Sequence, residues 1–172
     1  PLGFRRRLNN VFFIDSIQSF EKICRIINID NFKMRKLFTV ISIVDLSDME
    51  MKAIFDCFLK LLIVQVNILN RMKLFTFFPF SNSSECNNTD PIKINEFNSR
   101  NKWKSEKFDY SKTSNLNGCL LRIGAAGIAS EPAVMCRNHS DGRIELLGIE
   151  KDIFMELSLR LNFTPHFQIY FS

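Results

Sequence analysis

The sequence predicts an α/β protein, and three observations predict it. Residues 10 to 79 alternate short apolar runs with stretches whose apolar residues recur every three or four positions. A helix-start signature, Ser47-Asp48-Met49-Glu50, falls between two such stretches. After a polar interval, residues 116 to 172 begin the same alternation again.

Val11-Phe12-Phe13-Ile14 reads as a short buried strand. Asp15 or Ser16 can cap a helix whose Ile17, Phe20, Cys24 and Ile27 share one face. Leu37 to Val44 is rich in β-branched residues and apolar on both faces, as a central strand is. In the capping box, the Ser47 hydroxyl and the Glu50 carboxylate each satisfy an amide that the first helical turn leaves unpaired. The helix is expected to run to about Leu62, with Met51, Ile54, Phe58 and Leu62 as its stripe. Val64 to Leu69 and Leu74 to Phe78 follow as two more strands. The order β-α-β-α-β-β predicts a doubly wound lobe, and right-handed crossovers would make its sheet largely parallel.

Residues 81 to 114 are dominated by Ser, Asn, Lys and acidic residues and show no periodicity. They read as an extended linker docked through Phe97, Trp103, Phe108 and Tyr110, with Trp103 as an anchor rather than a ligand-stacking ring. Beyond it, Leu120-Leu121-Arg122-Ile123 is a strand, followed by a loop to about Gly142. A helix from Lys151 to Leu161 would place Ile153, Phe154, Leu157 and Leu161 on one side, and Thr164-Pro165 ends it. His166 to Phe171 reads as the next strand. The domain expectation is therefore 1–80, a truncated amino-terminal α/β domain; 81–115, a polar linker; and 116–172, the beginning of a second domain.

Composition narrows the function classes. The 172 residues include 18 Phe and are 46% hydrophobic, an ordinary globular balance apart from the Phe excess. The chain begins at Pro1, which reads as a fragment or partial gene product. The net charge is +5, and Arg5-Arg6-Arg7 is its clearest cluster. Three arginines before a strand are ordinarily a solvated edge, and no basic strand interleaved with aromatics supports a nucleic-acid partner. The longest uncharged apolar run, Leu61 to Asn70, is about half of the roughly 20 residues a membrane span needs. Cys24 and Cys57 lie on apolar helix faces and read as buried thiols. Cys86, Cys119 and Cys136 lie in or beside loops where a bridge can form, and the pairing stays open. Four Asn-x-Ser/Thr sequons, at Asn82, Asn87, Asn138 and Asn162, lean the chain towards an extracellular compartment as glycosylation sites.

Chemistry-bearing motifs are few. Gly124-Ala125-Ala126-Gly127-Ile128-Ala129 follows a strand, as a dinucleotide-binding loop would, and Glu145 lies at a distance that could serve a ribose. Pro132, however, falls where the second turn of the required helix should be, and the middle glycine is missing. The preferred reading is a small-residue loop. Cys136-Arg137-Asn138-His139 supplies two metal-ligand types without a second pair, so it also reads as a loop. His166 has no partnering nucleophile or orienting carboxylate and reads as a strand side chain. No Ser/His/Asp or Cys/His set assembles. No cofactor is expected, and the chain is not expected to be an enzyme.

Several features in the last third occur in a recognisable order. Asn115-Leu116-Asn117-Gly118-Cys119-Leu120-Leu121-Arg122-Ile123-Gly124 leads to Glu131-Pro132-Ala133-Val134-Met135. Gly148-Ile149-Glu150-Lys151-Asp152-Ile153 then opens a helix that ends at Asn162-Phe163. This order resembles the first ligand-binding segment of ionotropic glutamate receptors, and most closely the divergent chemosensory ionotropic receptors of arthropods. Arg7-Leu8-Asn9-Asn10-Val11-Phe12-Phe13-Ile14 and Phe75-Thr76-Phe77-Phe78-Pro79-Phe80 are similar to the short amino-terminal domain of the same group.

The resemblance implies a periplasmic-binding-protein-like lobe, then the incomplete start of a clamshell ligand-binding domain. It implies that Glu131, Pro132 and Ala133 line the cleft. It also implies a small-molecule ligand, other receptor subunits in a hetero-tetramer with a co-receptor, and a membrane reached through segments downstream. The location implied is the extracellular side of the plasma membrane. The family's ligand-covering aromatic is Ala133 here, which removes a contact worth about 1–2 kcal/mol. The family's carboxylate-gripping arginine would lie downstream of Ser172. The missing aromatic at Ala133, and a chemosensory branch in which the ligand-gripping residues are often replaced, make glutamate not the expected ligand. Two rivals stand beside the channel: a secreted soluble binding protein without a pore, and a nucleotide-dependent enzyme with a degraded phosphate loop.

Overall fold

A computed structural model describes residues 10–26, 37–98, 102–108, 110–127, 135–138, 140 and 144–171. The chain forms two compact units, residues 1–79 with 87–112 and residues 80–86 with 113–172.

The first unit is a mixed five-stranded sheet with two helices. Its elements are β1 (Asn10–Ile14), α1 (Ile17–Ile26), β2 (Phe38–Ser42), α2 (Asp48–Lys60), β3 (Val66–Asn70), β4 (Lys73–Thr76) and β5 (Ile92–Glu96). The sheet order is β1-β2-β3-β4-β5. β1, β2 and β3 are parallel, with Phe12 opposite Val40 and Val40 opposite Ile68. β4 pairs antiparallel with β3, because the two-residue turn at Arg71 and Met72 leaves no chain for a crossover, and β5 adds antiparallel at the edge beside β4. The order follows the chain without the reversal that a doubly wound sheet makes. Both crossover helices lie on the same face, since α1 and α2 bury their apolar residues in one core against the sheet.

That face holds the core. Phe20 of α1, Met51, Ile54, Phe55 and Phe58 of α2, and Phe38, Val40, Val66 and Ile68 of the sheet are all buried together. Phe58 is the hub, with its ring centroid 5.5 Å from those of both Phe20 and Phe38. Phe55 and Phe77 extend the cluster at 4.8 Å. Such tilted aromatic pairs add about 0.5–1.5 kcal/mol each beyond the area they bury. Cys24 and Cys57, expected as buried thiols, instead form a disulfide between α1 and α2, with Cα atoms 6.5 Å apart. Helical spacing placed each cysteine on an apolar face but could not say that the two faces meet.

Both helix starts are capped as the sequence predicts. The Ser16 hydroxyl accepts from the Ser19 amide at 3.1 Å. Ser47 accepts from the Glu50 amide at 3.3 Å, while the Glu50 carboxylate accepts from the Ser47 amide at 2.8 Å. α2 stops at Lys60, and Leu62, expected in its buried stripe, takes a left-handed conformation at φ 57° and is 63% exposed.

The stretch expected to be a linker adds an edge strand, β5, and a cover. The Asn95 side chain donates to the Ser105 carbonyl at 2.7 Å and accepts from the Ser105 amide at 3.1 Å. Asn67 of β3 donates to the Phe108 carbonyl at 3.0 Å, and Gln65 to the Tyr110 carbonyl at 3.3 Å. Trp103 packs edge-on against Phe97 and Phe108, as an anchor does. Lys112, only 5% exposed, sends its ammonium to the Val64 and Val66 carbonyls and the Thr76 hydroxyl, at 2.8, 3.2 and 2.6 Å. The ammonium also lies 4.7 Å from the centre of the Phe77 ring.

The second unit contains β6 (Leu120–Gly127), β7 (Met135–Asn138), β8 (Ile144–Leu147), α3 (Ile149–Leu161) and β9 (Thr164–Phe171). β6 and β9 pair in parallel from Leu120 opposite Thr164 to Gly127 opposite Phe171. β7 and β8 form an antiparallel pair where a loop was expected. A second disulfide joins Cys86 to Cys119. The expected buried side of α3 is only partly buried. Phe154 and Leu161 are half-buried and Phe154 meets the Phe167 ring, whereas Ile153 and Leu157 are exposed and Ser158 is buried in their place. Among the described residues, no helix is long and apolar enough to cross a membrane.

Candidate functional site

Glu131, Pro132 and Ala133 lie outside the described residues, between β6 and β7. The framework around that loop is described. Gly148 enters α3 at φ 117°, a conformation that side-chain-bearing residues rarely adopt, so a glycine is required there. Glu150 and Asp152 occupy the first turn, where carboxylates complement the partial positive charge of unpaired amides. Asn162 caps the other end in the left-handed conformation, and the Phe163 amide returns to the Ser158 carbonyl at 3.1 Å. Asn162 also donates to the Asn115 side chain at 3.0 Å and accepts from the Gly118 amide at 2.7 Å. These residues fix how the helix enters and leaves; none is positioned to perform chemistry.

The small-residue run resolves differently from the loop expected. Gly124 to Gly127 stay within β6, opposite Gln168 to Phe171, so the run continues a strand in place of a phosphate-binding turn. Ile128 and Ala129 lie outside the described residues. Cys136, Arg137 and Asn138 form β7 instead of a loop, and His139 is outside the described residues. His166 is an exposed β9 residue opposite Arg122.

The sequons differ in setting. Asn82 is exposed, and its side-chain oxygen Oδ1 accepts from both the amide and the hydroxyl of Ser84 at 2.9 and 2.6 Å. Asn87 is exposed, but the Thr89 of its sequon is buried with its hydroxyl on Asp56. Asn162 is occupied as the α3 cap. Asn138 sits in β7.

Sequence reading did not find a second concave surface, which lies in the first unit. At the carboxyl ends of β2 and β3, a groove of about 330 Å³ is lined by residues 41 to 45 together with Leu69, Arg71 and Met72. Ile41 and Leu69 alternate with the core-facing Val40 and Ile68, so they lie on the sheet face away from the helices. The rim is apolar and open: Ile43 is 73% exposed and Met72 55%. The Ser42 hydroxyl donates to the Val44 carbonyl at 2.7 Å and fixes the loop after β2. Arg71 ion-pairs with Asp45 beside the apolar floor. Arg71 and Met72 hold φ angles of 47° and 61° without a glycine, which gives a mirror-image hairpin turn. No single stretch of sequence signals the groove, because two strand ends and a turn build it together.

Exposed carboxylates near this sheet are held charged. Hydrogen bonds from Ser47 keep Glu50 below its ordinary range. The Lys104 ammonium does the same for Glu96, and Lys52 for Asp90.

A family model described as "putative ionotropic receptor, ligand binding domain" matches residues 4–115. The match covers the groove at β2 and β3 and stops before Glu131. No curated protein and no solved structure matches the chain.

Proposed function

The chain belongs to the family of ionotropic receptor ligand-binding domains, and on that premise we propose that it is the extracellular N-terminal portion of a ligand-gated, non-selective cation channel of the arthropod chemosensory type. The family's role is ligand binding in a receptor, and it is not an enzyme family. The observation that carries the reading is the succession along one chain. The family match occupies residues 4–115, and the order of motifs resembling a glutamate-receptor binding segment begins at Asn115.

In this reading, residues 116–172 begin the clamshell, and Glu131, Pro132 and Ala133 lie at its cleft. A ligand that binds the closed clamshell better than the open one shifts the population towards closure, and that differential affinity biases the gate. The partners are a small molecule and other receptor subunits, including a co-receptor in a hetero-tetramer. The plasma membrane is reached through downstream segments. Of the four sequons, Asn82 is the glycan site best supported by its setting, because its amide side chain is exposed and its Ser84 hydroxyl is already turned towards it.

The test is to sequence the transcript through and beyond Ser172. Three apolar spans of about 20 residues each, a re-entrant pore segment among them and a second binding segment between the last two, are expected. A continuation without spans would leave the rival, a secreted binding protein of related fold.

A further inference from the structure

Residues 80–86 leave the first unit after Pro79, belong to the second, and return to the first at Asn87. The neck of this loop closes on itself: the Pro79 carbonyl accepts from the Asn87 and Asn88 amides at 2.6 and 3.3 Å. Just beyond it, the Thr89 hydroxyl donates to Asp56 of α2, and Asp90 ion-pairs with Lys52 of the same helix. The neck is therefore fixed within the first unit whatever the tip touches. The tip is held in the second unit by little besides the Cys86–Cys119 bridge. The Asn117 side chain donates to the Phe80 and Ser81 carbonyls, and Gly118 lies beside Ser83. Hydrogen bonds of this kind contribute about 1 kcal/mol each. Ser81, Asn82, Ser83, Ser84 and Glu85 are all exposed, so apolar burial adds nothing along the tip.

The other half of the bridge is firmly seated. The Gly118 amide donates to the Asn162 carbonyl and the Thr164 amide to the Cys119 carbonyl, at 2.7 and 2.9 Å. Cys119, 1% exposed, is thus tied to the end of α3 and the start of β9. The Cys24–Cys57 bridge is built differently. Its cysteines lie on α1 and α2, which Phe20 and Phe58 hold together with ring centroids 5.5 Å apart. Those two sulfurs stay adjacent when their bond is broken, whereas Cys86 moves away with an exposed tip. Ring size does not separate the bridges, since both span 33 residues. What separates them is the effective concentration at which the folded chain presents the two thiols, and that sets the reduction potential.

We propose that Cys86–Cys119 is a redox-sensitive clasp: a dithiol reductant opens it before Cys24–Cys57 and releases residues 81–85 from the second unit, with both units still folded. The reductant's thiolate attacks the half-buried Cys86 sulfur, and Cys119 leaves as a thiolate that takes up a proton. The reductant's second thiolate then displaces Cys86, which is protonated in turn, and closes the reductant's own disulfide. Two electrons pass from the dithiol to the bridge. With the clasp closed, the units are joined covalently through the bridge and through the chain at the 112–113 step; with it open, only the chain step remains. The clasp goes beyond the receptor reading and stands without it. Within that reading, it sets how many covalent ties the ligand-binding segment has to the domain before it.

The test equilibrates the 172-residue chain in mixtures of reduced and oxidised dithiothreitol and reads each cysteine pair by differential alkylation with peptide mapping. Cys86 and Cys119 are expected to be half-reduced at a reduced-to-oxidised ratio about tenfold or more below that for Cys24 and Cys57, a difference of about 30 mV. Nitrogen-15 relaxation on the same samples is expected to take the amides of Ser81 to Glu85 from order parameters of about 0.85 to below about 0.6, with α2 and α3 unchanged. The double substitution Cys86→Ser with Cys119→Ala is expected to reproduce that loosening without reductant. Cys24→Ser with Cys57→Ser is expected to leave residues 81–85 rigid. Simultaneous opening of the two bridges, or earlier opening of Cys24–Cys57, would overturn the proposal. So would rigid amides at 81–85 after the bridge opens, or unfolding of the second unit on its opening. None of these outcomes bears on whether membrane spans follow, which the transcript decides.

Discussion

The two units are built alike and buried differently. Each joins two parallel strands through a helical crossover, and each is closed by a disulfide between cysteines 33 residues apart. In the first unit, α1 and α2 lay Phe20, Met51, Ile54, Phe55 and Phe58 into one closed core. In the second, α3 is just as rich in apolar residues, yet Ile149, Ile153 and Leu159 stay exposed and Ser158 is its buried residue. The difference shows that helical spacing creates an apolar face, whereas the number of neighbouring elements decides how much of it is covered. Two helices on a five-stranded sheet supply enough neighbours; one helix beside two two-stranded sheets does not.

Variants can break or sharpen that contrast. The largest effect is expected from Phe58→Ala, which empties the centre of the Phe12, Phe20 and Phe38 cluster. A loss of about 3–5 kcal/mol is expected by urea denaturation, because the surrounding rings cannot collapse fully into the space. Leu159→Ser on α3, at an exposed site, is expected to change stability by less than about 0.5 kcal/mol. Equal costs at the two positions would refute the contrast.

Removing the first bridge by the double substitution Cys24→Ser with Cys57→Ser is expected to cost about 3–4 kcal/mol, from the chain freedom restored to the unfolded state. Lys112→Met removes a buried ammonium that serves three oxygens, while keeping a similar volume. A cost of about 2–3 kcal/mol is expected, together with faster amide hydrogen exchange across residues 102–112. Unchanged exchange there would show that Lys112 does not fasten the cover.

A more modest effect than those of Phe58, the bridge and Lys112 is acid sensitivity of the first unit. Glu50, Asp90 and Glu96 each have a folded pKa below the unfolded value. A depressed carboxylate stabilises the fold above the unfolded pKa and loses that contribution as pH falls through the folded one. The urea midpoint is therefore expected to fall between about pH 5 and pH 3. Ser47→Ala, which removes the hydroxyl that caps α2, should make the protein less stable by about 1 kcal/mol and shrink the Glu50 part of the acid response. An acid response identical to the parent's would show that the Ser47 hydroxyl contributes nothing to it and that the Ser47 amide alone holds Glu50 charged.

Much of the first unit was readable because its signals are local. The β-branched run of β2, the Ser47–Glu50 box and the apolar spacing of α2 each lie within a few residues of one another. β5 and the 102–112 cover were not readable, because they are fastened by Asn95, Asn67 and Lys112 across 10 to 48 residues rather than by an apolar pattern of their own. The Cys24–Cys57 bridge was hidden for the same reason: it depends on which helix faes which. Within the candidate sites, the Gly148 and Asn162 turns were legible from residue type, since both need left-handed or glycine-only backbone. The groove at β2 and β3 was not, because its lining comes from segments that only the sheet brings together.

The measurement that tests the proposed receptor role most directly is current recording from cells that express the product of the full transcript together with a co-receptor subunit of the proposed assembly. A panel of small molecules would be applied to the extracellular side. The receptor reading predicts ligand-evoked, cation-non-selective currents that are absent from cells lacking the protein. Full expression at the cell surface without any evoked current across the ligand panel, or release of the protein into the medium, would contradict it.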